Sequence, residues 1–161
     1  MQLAGFVALR QSRIAAIDNR PGDADAALEH AGELAARIGE GNAYGLGFGP
    51  VNAGVFRIFG AVDAQDYEQA VNVAESLSPE MHANRCQRAN YWIFYGRALA
   101  RVRRRDDAVL ALRRAELISL HHAERNPFVR DVLGELLTPT RRNSPAGREL
   151  RRMAYRAGLP V

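Results

Sequence analysis

Trp92-Ile93-Phe94-Tyr95-Gly96-Arg97-Ala98-Leu99, followed by Arg104-Arg105-Asp106-Asp107-Ala108-Val109-Leu110-Ala111-Leu112, decides how the rest of the chain is read. Apolar residues recur at helical spacing in both segments, and the polar run between them marks a tight connection. This is a helical hairpin. Gly96 and Ala108 are small where the two helices would meet, as a close crossing requires. The same opening recurs upstream in Asp66-Tyr67-Glu68-Gln69-Ala70-Val71 and in Asp23-Ala24-Asp25-Ala26-Ala27-Leu28, with marker alanines Ala27, Ala70 and Ala108 spaced 43 and 38 residues apart.

Outward from this hairpin the pattern is helical almost throughout, and no alternating strand of useful length occurs. Helices are predicted over 3–18, 23–38, 50–62, 66–77, 82–103, 106–120, 127–137 and 145–158. Asn19-Arg20-Pro21-Gly22 stops the first, Asp23 is the expected cap of the second, and Pro50 suits the first turn of the third. Ser78-Pro79-Glu80 ends the fourth, while Asn126-Pro127 and Ser144-Pro145 open the last two. Residues 39–49 hold five glycines and read as a flexible loop. The expected architecture is all-α, a single domain over 1–161 made of a stack of about four antiparallel helical hairpins, roughly 3–38, 50–77, 82–120 and 127–158.

Trp92, Tyr95, Gly96, Leu99, Ala108 and Leu112 fall at the spacing of the tetratricopeptide (TPR) pattern, so the third hairpin resembles a TPR unit and the whole an α-solenoid. The spacings of 43 and 38 exceed the usual repeat of about 34, which implies longer connections and a less regular superhelix. A longer signature is Phe48-Gly49-Pro50-Val51-Asn52, the 66–77 helix, and Arg125-Asn126-Pro127-Phe128-Val129-Arg130-Asp131. Over about 14–159 it resembles the C-terminal TPR half of actinobacterial transcriptional regulators of the XRE (Cro/C1-type helix-turn-helix) family. The resemblance implies a non-catalytic regulatory domain for self-association or for sensing a signal or peptide, most simply as a homodimer. No helix-turn-helix pattern precedes the repeats, so DNA binding is expected only through a domain that this chain does not carry. A stand-alone TPR adaptor is the alternative, and an in-frame helix-turn-helix segment would distinguish the two.

In a TPR stack the first helix of each hairpin lines a concave groove. Counting back from the marker alanines puts repeat starts at Ala8, Val51 and Ala89, and groove positions at Arg13, Asn52, Phe56, Phe59, Asn90, Arg97 and Arg101. Asn52 and Asn90 are equivalent and would hold a peptide backbone through both amide groups. The arginines favour a carboxylate and the phenylalanines add apolar contact, so the expected occupant is an acidic peptide or a peptide C-terminus.

Charge is divided along the chain. Residues 1–80 carry 5 Arg against 11 Asp and Glu, residues 81–161 carry 17 Arg against 7, and lysine is absent. The basic half offers candidate polyanion contacts in Arg104, Arg105, Arg141, Arg142, Arg151 and Arg152, which would make a nonspecific, salt-sensitive nucleic-acid binder. Docking onto the acidic half of a second copy is the competing use. Only Tyr155 lies among the tail arginines as a base-stacking aromatic, which disfavours single strands. No enzymatic activity, cofactor or metal is expected. His30, His82, His121 and His122 form no H-E-x-x-H pair, the glycine-rich Gly45-x-Gly47-x-Gly49 lacks a strand before it and Gly-Lys after it, and Cys86 has no histidine partner at a catalytic spacing. One cysteine and no long apolar run fit a soluble cytoplasmic protein.

Overall fold

The computed structural model describes the backbone of residues 1–161 and every side chain except that of Tyr44. Among the described residues it contains nine α-helices, two 3-10 turns and no strand, and the one β-type pairing is an isolated bridge between Gly41 and Phe48. The chain divides into two compact units, Met1–Gln87 and Arg88–Val161.

The first unit contains α1 (Gln2–Ile17), α2 (Pro21–Ile38), α3 (Pro50–Asp63) and α4 (Tyr67–Glu75). Leu9, Phe48, Ile58 and Val62 are buried in its core. Pro21 takes the first helical position of α2, where its missing N–H is no loss, so α2 begins before the expected cap, Asp23. Asp23 sits in the first turn and accepts from Arg20 at 2.6 Å.

The glycine-rich segment is folded against the helices, in contrast to the flexible loop expected. Gly41 donates to the Phe48 carbonyl at 3.0 Å, Ala43 N–H to Gln2 Oε1 at 2.8 Å, and Val51 N–H to Glu40 Oε1 at 2.7 Å. The Phe48 ring lies over Gly5, where a Cβ would be 2.0 Å from the ring edge. Glycine at position 5 is therefore what lets the loop close on α1.

The second unit contains nearly all of α5 (Arg85–Arg101), then α6 (Arg105–Ile118), α7 (Leu120–Arg125), α8 (Pro127–Leu137) and α9 (Pro145–Arg156). The start of α5 falls three residues later than expected because Pro79–Met81 forms a 3-10 turn and Asn84 Oδ1 then accepts from the N–H groups of Cys86 and Gln87. Helix α7 was not foreseen: Ser119, at φ −154°, ends α6 and starts a further short helix ahead of Pro127. Side-chain caps at Asn126 and Ser144 start α8 and α9 as read. Glu116 joins α6 to α9: it is 7% exposed, pairs with Arg113, and accepts from Arg156 Nε at 2.9 Å and Nη2 at 2.7 Å.

The hairpins α1–α2, α3–α4 and α5–α6 share one connection. Asn19, Gln65 and Arg103 have φ of +56°, +61° and +65°, and the next residue donates its N–H to the carbonyl five residues back, Arg20 to Ala15, Asp66 to Ala61 and Arg104 to Leu99, at 2.8 to 2.9 Å. This is the Schellman ending of a helix, and here it also reverses the chain. Counted from it, Ala24, Ala70 and Ala108 are equivalent, so the sequence marker Ala27 lies one helical turn too late. The position equivalent to Val51 and Ala89 is consequently Gly5 and not Ala8, which makes Arg13 the counterpart of Phe59 and Arg97.

Candidate interaction surfaces

The groove residues divide into buried and engaged groups. Asn52 is fully buried and donates from Nδ2 to the Gly47 carbonyl at 2.7 Å, which secures the start of α3 under the loop, while its Oδ1 has no partner. Phe56 and Phe59 are buried with their ring centroids 5.3 Å apart. These three are corrected from groove to core, because α3 buries its residues from Val51 to Phe56 without interruption and then Ile58, Phe59 and Val62.

The remaining groove residues are held by neighbours on their own units. Arg13 pairs with Asp63, its guanidinium 5.6 Å from the Phe59 ring. Asn90 Oδ1 is 2.7 Å from His122 Nε2 on α7, a partner that no sequence pattern signalled. Arg97 lies 4.4 Å from the Phe128 ring centroid, and Arg101 pairs with Glu135 at 2.7 Å.

What α1 does expose is an apolar stripe. Leu3, Val7, Ile14 and Ile17 are 53, 44, 55 and 76% exposed. With Arg10 between them, the positions follow the alternating four-and-three spacing of a helix seam. Arg10, exposed at the middle of the stripe, holds its guanidinium 4.9 Å from the Phe6 ring centroid and 5.7 Å from that of Phe56.

The arginines read as polyanion contacts also separate. Arg151 donates to the carbonyls of Gly147 and Leu137, Arg152 faces Glu149 at 3.5 Å, and Arg142 is exposed. Arg104, Arg105 and Arg141 instead come together, with Arg103, around a cleft of about 550 Å³. Asp106, Asp107 and Thr140 also line it, and Arg104 Nε donates to Asp107 at 2.9 Å. Thr140 was missed because a single threonine in a polar loop carries no pattern.

The histidines are dispersed: His30 and His121 are exposed, buried His82 accepts from Asn84 N–H at 3.0 Å, and His122 is bonded to Asn90. Among the described residues no helix is long and apolar enough to cross a membrane. Comparison with family models, curated proteins and solved structures finds no match to this chain.

Proposed function

We propose that this chain is a non-catalytic interaction domain of helical hairpins, of the regulatory kind that its sequence resembles, and that it acts as a homodimer joined through α1. The observation carrying this reading is the exposed stripe Leu3, Val7, Ile14 and Ile17. Apolar side chains at seam spacing gain by meeting another helix, and isolated exposed residues would need no such explanation.

The stripe favours a second copy because two apolar residues flank Arg10 on each side, seven and three positions before it and four and seven after it. In an antiparallel two-fold pair Leu3 of one copy meets Ile17 of the other and Val7 meets Ile14, with Arg10 at the axis beside the Phe6 and Phe56 rings. A partner related by symmetry needs no further complementary surface.

Sedimentation equilibrium of the wild type and of Ile14→Arg tests this. The substitution occurs twice per dimer, and loss of two buried isoleucines at about 1.5–3 kcal/mol each weakens association by roughly 10²- to 10⁴-fold. A monomer at every concentration, or a dimer indifferent to Ile14→Arg with an unchanged helical spectrum, would refute the α1 interface. The regulator reading separately requires a helix-turn-helix segment in the same polypeptide, and the gene's reading frame distinguishes it from a stand-alone adaptor.

A further inference from the structure

The cleft of the second unit gathers donors that its own residues do not use. The guanidiniums of Arg103, Arg105 and Arg141 have no hydrogen-bond or ion-pair partner among the described residues, whereas Arg101, Arg104, Arg113, Arg151 and Arg156 of the same unit are paired. Thr140 is 5% exposed and its hydroxyl has no partner, a costly state for a buried polar group. The helix behind the cleft adds a third element: Arg104 is the N-cap of the 14-residue α6 and supplies no side-chain cap, so the first-turn N–H groups lack the acceptor that Asp66, Asn126 and Ser144 provide elsewhere.

The cleft is also held in shape. The Arg141 carbonyl accepts from both Ser144 N–H at 3.2 Å and Ser144 Oγ at 2.9 Å, and a Cβ on Gly147 would come within 1.9 Å of that oxygen. Arg103 holds a left-handed backbone, an arrangement that an arginine adopts only at a cost. The backbone that carries Arg103 and Arg141 is therefore constrained at both residues, while their side chains are exposed.

The geometry points to a binding site for a single phosphoryl group, as inorganic phosphate or a phosphate monoester, seated among Arg103, Arg105 and Arg141 with the Thr140 hydroxyl donating. Three guanidinium forks, a hydroxyl and a helix start offer more donors than the two oxygens of a carboxylate can accept, whereas a phosphate monoester presents three charged oxygens. An extended nucleic-acid backbone fits less well, because Asp106 and Asp107 line the same cleft and would oppose the neighbouring phosphates. This site is independent of the α1 interface.

Nuclear magnetic resonance titration of the full chain with inorganic phosphate, and with a phosphoserine peptide and its unphosphorylated form, tests the proposal. Saturable shifts centred on Arg105, Asp106, Thr140 and Arg141 are expected, and the Arg105→Gln, Arg141→Gln double variant should weaken binding at least about tenfold. Thr140→Val removes an unpartnered hydroxyl with little change of shape, so it should raise the melting temperature while weakening phosphate binding about threefold or more. A merely structural threonine would not move the two in opposite senses. If the phosphopeptide binds more tightly than phosphate and its unphosphorylated form does not bind, the source is a modified chain; equal affinity indicates the free anion. The proposal is overturned by non-saturating shifts spread over all arginines, or by Thr140→Val leaving phosphate affinity unchanged. It is equally overturned if duplex DNA binding survives these substitutions while phosphate does not bind, or if their only effect is to abolish salt-sensitive self-association.

Discussion

The hairpins α3–α4 and α5–α6 turn at the same backbone angle and in the same register, yet they fill their equivalent positions in opposite ways. In α5–α6 the small residue is Gly96 on the first helix and the large one is Leu112 on the second. Their counterparts in α3–α4 are Ile58 and Ala74, large first and small second, and both are buried. A Cβ on Gly96 would lie 3.1 Å from Leu112 and 3.4 Å from the Ala108 carbonyl, so the glycine makes room for the leucine. What repeats along the chain is a way of ending one helix and starting the next, while the volumes at each crossing are settled locally.

The largest expected effect comes from exchanging those volumes. Gly96→Ile places a branched side chain into occupied space and should cost about 3 kcal/mol or more. Leu112→Ala opens a cavity and should cost about 2–5 kcal/mol. Made together they reproduce the pair found at Ile58 and Ala74, and urea unfolding should return a coupling of about 2 kcal/mol in favour of the double variant. Strictly additive losses would show that the two hairpins do not share a crossing geometry and that the equivalence rests on the turn alone.

What was legible in the sequence divides in the same way, between backbone and side-chain volume. Proline and glycine punctuation places most helix ends within a few residues, since those residues act through the backbone and need no neighbours. The third hairpin could be recognised because Trp92, Gly96 and Ala108 happen to match a known pattern of side chains. The first hairpin was misaligned by one helical turn because Ala24 and Ala27 are alike in sequence and only the Asn19 turn tells them apart. Helix α7 was invisible for a similar reason: its start at Ser119 is a matter of backbone angle, and its two histidines resemble a polar linker. Among candidate site residues, position on a helix was easier to read than burial. Asn52, Phe56 and Phe59 sit on the expected helix, but the Gly5–Phe48 contact that folds the loop over the core brings together residues 43 positions apart.

A second contrast between the units concerns charge. Glu116 is nearly buried between Arg113 and Arg156, whereas Asp63 and Arg13 are 38 and 30% exposed. Glu116→Gln should therefore cost about 1.5–3 kcal/mol, and Asp63→Asn no more than about 1 kcal/mol. Arg156 is held above the usual guanidinium value, chiefly by its hydrogen bond to Glu116 and against the effect of burial. A cation whose folded value is raised contributes fully at every pH below its unfolded value and loses that contribution only as pH climbs past it. Unfolding of the second unit should thus keep this contribution unchanged between about pH 7 and 10, and a Glu116→Gln difference that disappears inside that range would argue against the pair.

The smallest effects lie in the turns, and they separate a position kept for folding from one kept for binding. Gln65 and Arg103 hold left-handed angles that glycine adopts without strain, so Gln65→Gly and Arg103→Gly should each stabilise the chain by roughly 0.5–1 kcal/mol. Asn19 tolerates the same conformation better, and Asn19→Gly should change stability by only a few tenths. The two larger gains are expected to part company in phosphate titration. Gln65→Gly leaves binding alone, because its turn lies in the other unit and lines no part of the arginine cleft, whereas Arg103→Gly gains stability and loses affinity. Gln65 and Arg103 share the same turn strain, so a difference in phosphate affinity between the two glycine variants reports the Arg103 guanidinium and not the turn. Equal phosphate affinity in the two variants would leave Arg103 as an ordinary turn residue and move the centre of the site toward Arg105, Thr140 and Arg141.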